Sequence, residues 1–165
     1  MDPKNTSRVA QAYEAHAAQL YRVAFSMLQS RESAEDAVQD AFARYLSHTG
    51  SFRDSEHEKA WLIRVTINRC RDLQRAGAVR AYTPLEELLQ HPTAEGPSVE
   101  NRTVLEAILA LPEKYRTVLV LHGLEGQPVD AVASELFLTP SAVKMRLKRG
   151  REMLKEALAK EDIHV

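Results

Sequence analysis

In every long segment of this chain the apolar residues recur three and four apart, the spacing of one buried helix face. A chain patterned this way buries its core by packing helix on helix. Val9, Tyr13, Ala17, Leu20, Ala24 and Leu28 define a first helix from about Ser7 to Leu28. A second carries Val38, Ala41, Phe42 and Tyr45; it starts at Ser33, where Ser33-Ala-Glu-Asp36 has capping-box form, or a turn earlier at Ser30. Turn formers from His48 to Glu56 make a loop. A third helix runs from about Glu58 to Ala76 and ends near Gly77.

Gly77, Pro84, Pro92, Gly96 and Pro97 then interrupt any long periodicity, so residues 79–97 read as a linker in which Leu85, Leu88 and Leu89 could dock as a short turn. Ser98 can cap a helix carrying Val104, Leu105 and Ile108. Leu111-Pro112 ends that helix and begins the next, which holds Tyr115, Val118, Leu119 and His122 before a turn at Gly123 to Gly126. The fold expected is all-α: two small helical domains, residues 1–78 and 98–165, joined by a flexible linker.

The C-terminal segment from Pro128 onward carries the functional signal. Pro128 opens a short helix with Val129, Val132, Ala133 and Leu136 on one face, and Phe137-Leu138 form a tight connection. Thr139 is a natural N-cap with Pro140 at the first helical position. Short helix, tight turn and second helix make a helix-turn-helix, whose second helix enters the DNA major groove. On that helix Val143, Leu147, Gly150, Leu154 and Leu158 share one stripe toward the core, and Gly150 implies that another helix approaches closely. Lys144, Met145, Lys148, Arg149 and Lys155 point outward, with Arg146 and Arg151 flanking the stripe.

A net charge of -1 argues against a polyanionic partner only if the signs are mixed, and here they are segregated. Between Trp61 and Arg80 five arginines (64, 69, 71, 75 and 80) face one acid, Asp72. Between Pro140 and Lys160 seven basic residues face Glu152 and Glu156. Acid collects at Glu32, Glu35, Asp36 and Asp40 and again from Glu86 to Glu100. Two basic surfaces with an acidic connector suit two contacts with one polyanion. On the third helix Leu62, Ile63, Thr66, Cys70 and Leu73 lie on the core side, opposite Trp61, Arg64, Asn68, Arg71, Asp72 and Arg75. Trp61 either stacks on an unpaired base beside the arginines or folds back over the preceding loop onto Phe52.

Other classes are disfavoured. No apolar run approaches the roughly 18 residues of a membrane span, and Met1-Asp2-Pro3-Lys4-Asn5 has no charged-then-apolar signal pattern, so a cytoplasmic location without direct membrane insertion is expected. Cys70 is the single cysteine, and no Cys/His spacing suits zinc; no metal or cofactor is expected. The carboxylates from Glu35 to Asp40 lack any accompanying nucleophile, metal-ligand or phosphate-loop pattern, so no enzyme and no catalytic residue is expected.

With both halves in view, the chain resembles the extracytoplasmic-function group of bacterial sigma factors. Tyr21-Arg-Val-Ala-Phe through Ala34-Glu-Asp-Ala-Val-Gln-Asp-Ala-Phe42 is similar to the start of their region two, and Trp61 through Arg75 to its promoter-melting end. Leu111-Pro-Glu-Lys-Tyr-Arg116 and Val143 through Arg151 are similar to region four. Ala131-Val132-Ala133 replaces the usual Glu-Ile-Ala, Phe137 stands where glycine is common, and Met145 where a small polar residue is usual.

The resemblance implies an alternative sigma factor that binds core RNA polymerase and directs promoter-specific initiation, with promoter DNA and an anti-sigma factor as further partners. It places region two at 1–78 and region four at 98–165. It implies polymerase contacts at Glu35, Asp36, Gln39 and Asp40. Ser51, Phe52 and Arg53, in a loop Ser51 to Glu56 that captures a flipped base, would join Trp61, Asn68, Arg71 and Arg75 at the minus-ten element. Thr139, Ser141, Lys144, Met145, Lys148, Arg149 and Arg151 would meet the minus-thirty-five element. The competing reading, a stand-alone helix-turn-helix regulator on duplex operator DNA, leaves the N-terminal motifs unexplained.

Overall fold

The structure, a computed structural model, describes residues 3–89 and 99–163. Its described residues form helices and connecting loops, in two units, Met1–Pro84 and Leu85–Val165.

In the first unit α1 (Pro3–Leu28), α2 (Arg31–Ser47) and α3 (Ser55–Arg75) pack against one another. Leu20, Val23 and Ala24 from α1, Ala34, Ala37 and Ala41 from α2, and Leu62, Ile63, Ile67 and Cys70 from α3 are fully buried. The alanines of α2 let the other two helices approach its axis, and each larger side chain removed from water contributes about 1.5–3 kcal/mol. Helix α1 begins a turn before the expected Ser7, with Pro3 at the first position, where its missing N–H costs nothing. The earlier of the two α2 starts is adopted: Ser30 is the N-cap and its Oγ accepts from the Ser33 amide at 3.2 Å. Helix α3 likewise starts at Ser55 rather than 58, because Asp54 caps it by accepting from the His57 amide at 2.8 Å. It ends at Arg75 with Ala76 as its C-cap, and Gly77 turns the chain with a φ of +65°.

Residues 79–84, expected within the linker, lie along this first unit. The Thr83 amide donates to the Gln29 carbonyl at 2.9 Å and its Oγ1 accepts from the Arg31 amide at 3.0 Å. The Arg80 amide donates to Ser33 Oγ at 2.9 Å. The two Thr83 bonds serve backbone groups at the α1–α2 corner that no helix satisfies, and the Ser33 side chain serves the Arg80 amide in return.

In the second unit α8 (Pro140–Ile163) is the central element, packed by α5 (Val99–Leu109), α6 (Glu113–Val118) and α7 (Val129–Leu136); α4 (Leu85–Leu89) precedes them. The expected Ser98 cap lies outside the described residues, as does the linker from 90 to 97. Helix α6 is shorter than its sequence pattern suggests and passes into a π-helical segment, Leu119–Leu124. There the Glu125 amide donates to Val120 and His122 Nδ1 donates to the Gln127 carbonyl at 2.8 Å. Val118, Leu121, Val132, Val143 and Leu147 form the core. A Cβ on the buried Gly150 would lie 3.1 Å from Leu119 Cδ1 and 3.3 Å from Tyr115 Cβ, the close helix approach that its position implied.

Candidate nucleic-acid interface

Helices α7 and α8 form the helix-turn-helix. Phe137 closes α7 in the left-handed region (φ 57°, ψ 42°), and the Leu138 amide donates to the Ala133 carbonyl at 2.9 Å. Immediately after this turn Thr139 Oγ1 accepts from the Ala142 amide at 3.1 Å, so the N-terminus of α8 is capped by its own side chain. With Val143 and Leu147 buried, the helix has one rotational setting. Thr139, Ser141, Lys144, Met145, Lys148 and Arg149 are exposed, Met145 to 74%. Arg146 is half-buried beside the core stripe and Arg151 is exposed. Arg149 meets Glu152 at 3.5 Å, whereas Lys144 and Lys148 form no ion pair with any described residue. Their full charge is available to an anionic partner, and helix starts of this kind reach base edges.

The first unit carries the other basic surface. Positions 61, 64, 68, 71 and 75 of α3 repeat at three and four, so Trp61, Arg64, Asn68, Arg71 and Arg75 share a stripe about 21 Å long. Arg64, Asn68 and Arg71 are half-buried; Arg75 is exposed and pairs with Asp72. At the N-terminal end of the stripe Trp61 follows the second of its two readings and folds back over the loop, with Phe52 at 5.7 Å and His48 at 4.7 Å between ring centroids. Phe52 also stacks on Tyr45 at 5.9 Å. Ser51 and Arg53 remain exposed on either side of the anchored Phe52.

The polar side of α2 is a third surface. Glu35 pairs with Arg31 and Asp40 with Arg44, each at 3.2 Å one turn apart, and Asp36 lies 3.8 Å from Arg80; Gln39 is exposed. Among the described residues no group of three His, Cys, Asp or Glu could hold a metal ion, and no helix is long and apolar enough to cross a membrane.

Residues 12–80 match the model of Sigma-70 region 2 and residues 101–154 that of Sigma-70 region 4. The chain is 31% identical over 150 residues to the ECF RNA polymerase sigma factor SigM of Mycobacterium tuberculosis, covering 90% of this chain and 76% of that one. The chain belongs to the extracytoplasmic-function sigma factor family. This sigma factor is also 29% identical to SigW of Bacillus subtilis, over 84% of its own length and 82% of the relative's. Its fold matches CnrH, solved in complex with the cytosolic domain of CnrY, with a TM-score of 0.67 and 26% identity over 94% of this chain and 90% of that one.

Within the sigma factor the residues singled out from sequence fall into three groups: α2 for residues 35–40, the loop and α3 stripe for residues 51–75, and the second unit for residues 139–151. Sequence reasoning missed what lies beneath the loop. His16, only 4% exposed, brings Nε2 to 3.1 Å from Glu58 Oε1, and the Tyr45 hydroxyl donates to Glu58 Oε2 at 3.0 Å. Burial, then Glu58, pushes the Tyr45 phenol up to about 12. Arg8 donates to the carbonyls of Tyr45 and His48 at 3.3 and 3.2 Å while its guanidinium covers the Tyr45 ring. One signal was available: His16 falls on the apolar stripe of α1, one position before Ala17, where a polar side chain needs a partner from another helix.

Proposed function

We propose that this sigma factor binds core RNA polymerase through the polar side of α2, opens the minus-ten element with the 51–56 loop and the α3 stripe, and reads the minus-thirty-five element with α8. Residues 1–78 then act as region two, 79–97 as the linker and 98–165 as region four. The carrying observation is that two separately packed units match regions 2 and 4 in chain order, each with its own basic surface. A stand-alone operator binder would need only the second.

The exposure and helix positions of these side chains support this division of labour. The outward α8 side chains near the helix start contact base edges, and Arg151, which flanks the core stripe, contacts the backbone. The α3 arginines hold phosphates of the opened strand while the loop beside Phe52 receives a base. Glu35, Asp36, Gln39 and Asp40 present carboxylates and an amide on a rigid helix to a basic polymerase surface. The chain supplies binding and positioning, and bond-making belongs to the polymerase. CnrH is captured with the cytosolic domain of CnrY, and this sigma factor is proposed to be held by an anti-sigma protein in the cytoplasm. Run-off transcription with purified core enzyme tests the reading: a promoter-specific transcript is expected only when the chain is present, and no measurable affinity for core would overturn it.

A further inference from the structure

We infer that Glu58 is a positioning residue for promoter opening: bound by His16 of α1 and Tyr45 of α2, it holds the aromatic floor on which the 48–54 loop rests. The inference builds on the reading of that loop as the minus-ten contact.

Hydrogen bonds donated by backbone amides hold the loop at its two ends. The His48 amide donates to the Tyr45 carbonyl at 3.1 Å, and at the far end the Asp54 cap is joined by a bond from the Arg53 amide to His57 Nδ1 at 3.1 Å. Between those ends the shape comes from Phe52, which lies among His48, Trp61 and Tyr45 with ring centroids 4.9, 5.7 and 5.9 Å away. Tyr45 is the base of that stack and is wholly buried. Because a carboxylate can only accept, Glu58 accepts one hydrogen bond from the Tyr45 hydroxyl and one from His16 Nε2, one at each oxygen. Arg8 closes the assembly from α1 by donating to the carbonyls of Tyr45, in the last turn of α2, and of His48, where the loop begins. Both ends of the loop, the C-terminus of α2 and the first turn of α3, are thus fixed to α1.

Stability alone does not account for this choice of residues. Apolar side chains of similar volume at 16, 45 and 58 would pack three helices as well or better, since desolvating polar and charged groups offsets most of what their pairing returns. Directional bonds instead set the rotation of the Tyr45 ring and the register of α3 against α2. That precision matters at a loop that must present Ser51 and Arg53 on either side of Phe52.

Trp61 is the only tryptophan in the chain, so its fluorescence reports the stack directly. The test uses the full-length protein as Glu58→Ala, Tyr45→Phe and Glu58→Gln, with Ser51-Phe52-Arg53 changed to alanines in parallel. For Glu58→Ala and Tyr45→Phe the expected result is red-shifted, more acrylamide-accessible Trp61 emission and core affinity within about twofold of the parent. Open complexes, read as permanganate-reactive thymines, should fall about tenfold, the scale of a lost hydrogen bond to a charged group. Glu58→Gln, which keeps an acceptor for Tyr45, should recover most of the opening. Unchanged Trp61 emission in Glu58→Ala overturns the inference, and so does a loss of opening that only tracks a loss of core affinity. If Glu58→Ala does not fold, Tyr45→Phe, which keeps the ring and removes only the hydroxyl, decides by the same two readouts. Should the triple alanine variant open promoters normally, the loop's role in opening fails; Trp61 emission then still reports whether Glu58 sets the stack.

Discussion

Gly150 sets two effects of opposite sign against each other. Alanine would improve helix propensity by about 1 kcal/mol. Its Cβ, however, would meet Tyr115 Cβ at 3.3 Å, an atom fixed to the backbone of α6, and overpacking of that kind costs about 1–3 kcal/mol. Gly150→Ala is therefore expected to lower stability by about 1 kcal/mol, seen as a reduced midpoint in thermal denaturation. Tyr45 yields a second expectation. Its phenol is pushed from 10 to about 12, so the neutral form is favoured in the folded state; the resulting stability is complete below about pH 10 and is lost as pH climbs through 12. Tyr21 shifts the same way through burial, so Tyr45→Phe should remove part, not all, of the alkaline decline in urea midpoints between pH 10 and 12. Gly150 was legible in the sequence because a core stripe gains from every apolar side chain it buries, and glycine there forgoes that gain to let a neighbouring helix in. The partnership of His16, Tyr45 and Glu58 was not, because Glu58 lies 42 positions from His16 and 13 from Tyr45, and the three meet only once three helices are packed.

At the scale of elements, helix faces were readable and helix ends were not. The stripes of α3 and α8 follow from a period of 3.6, which neighbours cannot change once a core side exists. Ends depend on single side-chain bonds: Ser30 and Ser33 both offer a cap, and only the Thr83 contact at the same corner shows which backbone groups remain to be served. The π-helical segment was hidden for a related reason, since Tyr115, Val118, Leu119 and His122 fit an α-helical stripe and one widened turn barely changes it. Helix α2 carries the prediction that belongs here. Asp40 is about one-third exposed and its bond to Arg44 is a surface pair, the kind that contributes at most a few tenths of a kcal/mol to folding. Asp40→Lys should weaken core binding, measured by competition for polymerase, while the melting temperature stays nearly unchanged. An equal loss of both would make the face structural.

The whole molecule is two units with separate cores, and the contacts proposed for it divide the same way. This level was the most legible of the three, because Gly and Pro punctuation and segregated charge survive any error in individual helix ends. Arg149 has its ion-pair partner, Glu152, within α8, and Phe52 has its ring partners at His48, Tyr45, His57 and Trp61 within the first unit. Substitutions at sites that share no partner add in free energy to within about 0.5 kcal/mol. Promoter affinity of the polymerase-bound sigma factor should therefore show Arg149→Ala and the alanine triple at Ser51-Phe52-Arg53 as additive losses, with Arg149→Ala costing about 1–3 kcal/mol on the preferred upstream element. The measurement is a double-mutant cycle on one promoter at fixed salt, since the affinity of any protein for a polyanion such as DNA depends on salt. A coupling well above about 0.5 kcal/mol would mean that the upstream contact changes how the loop engages DNA, so that promoter recognition is one cooperative act rather than two anchored ones.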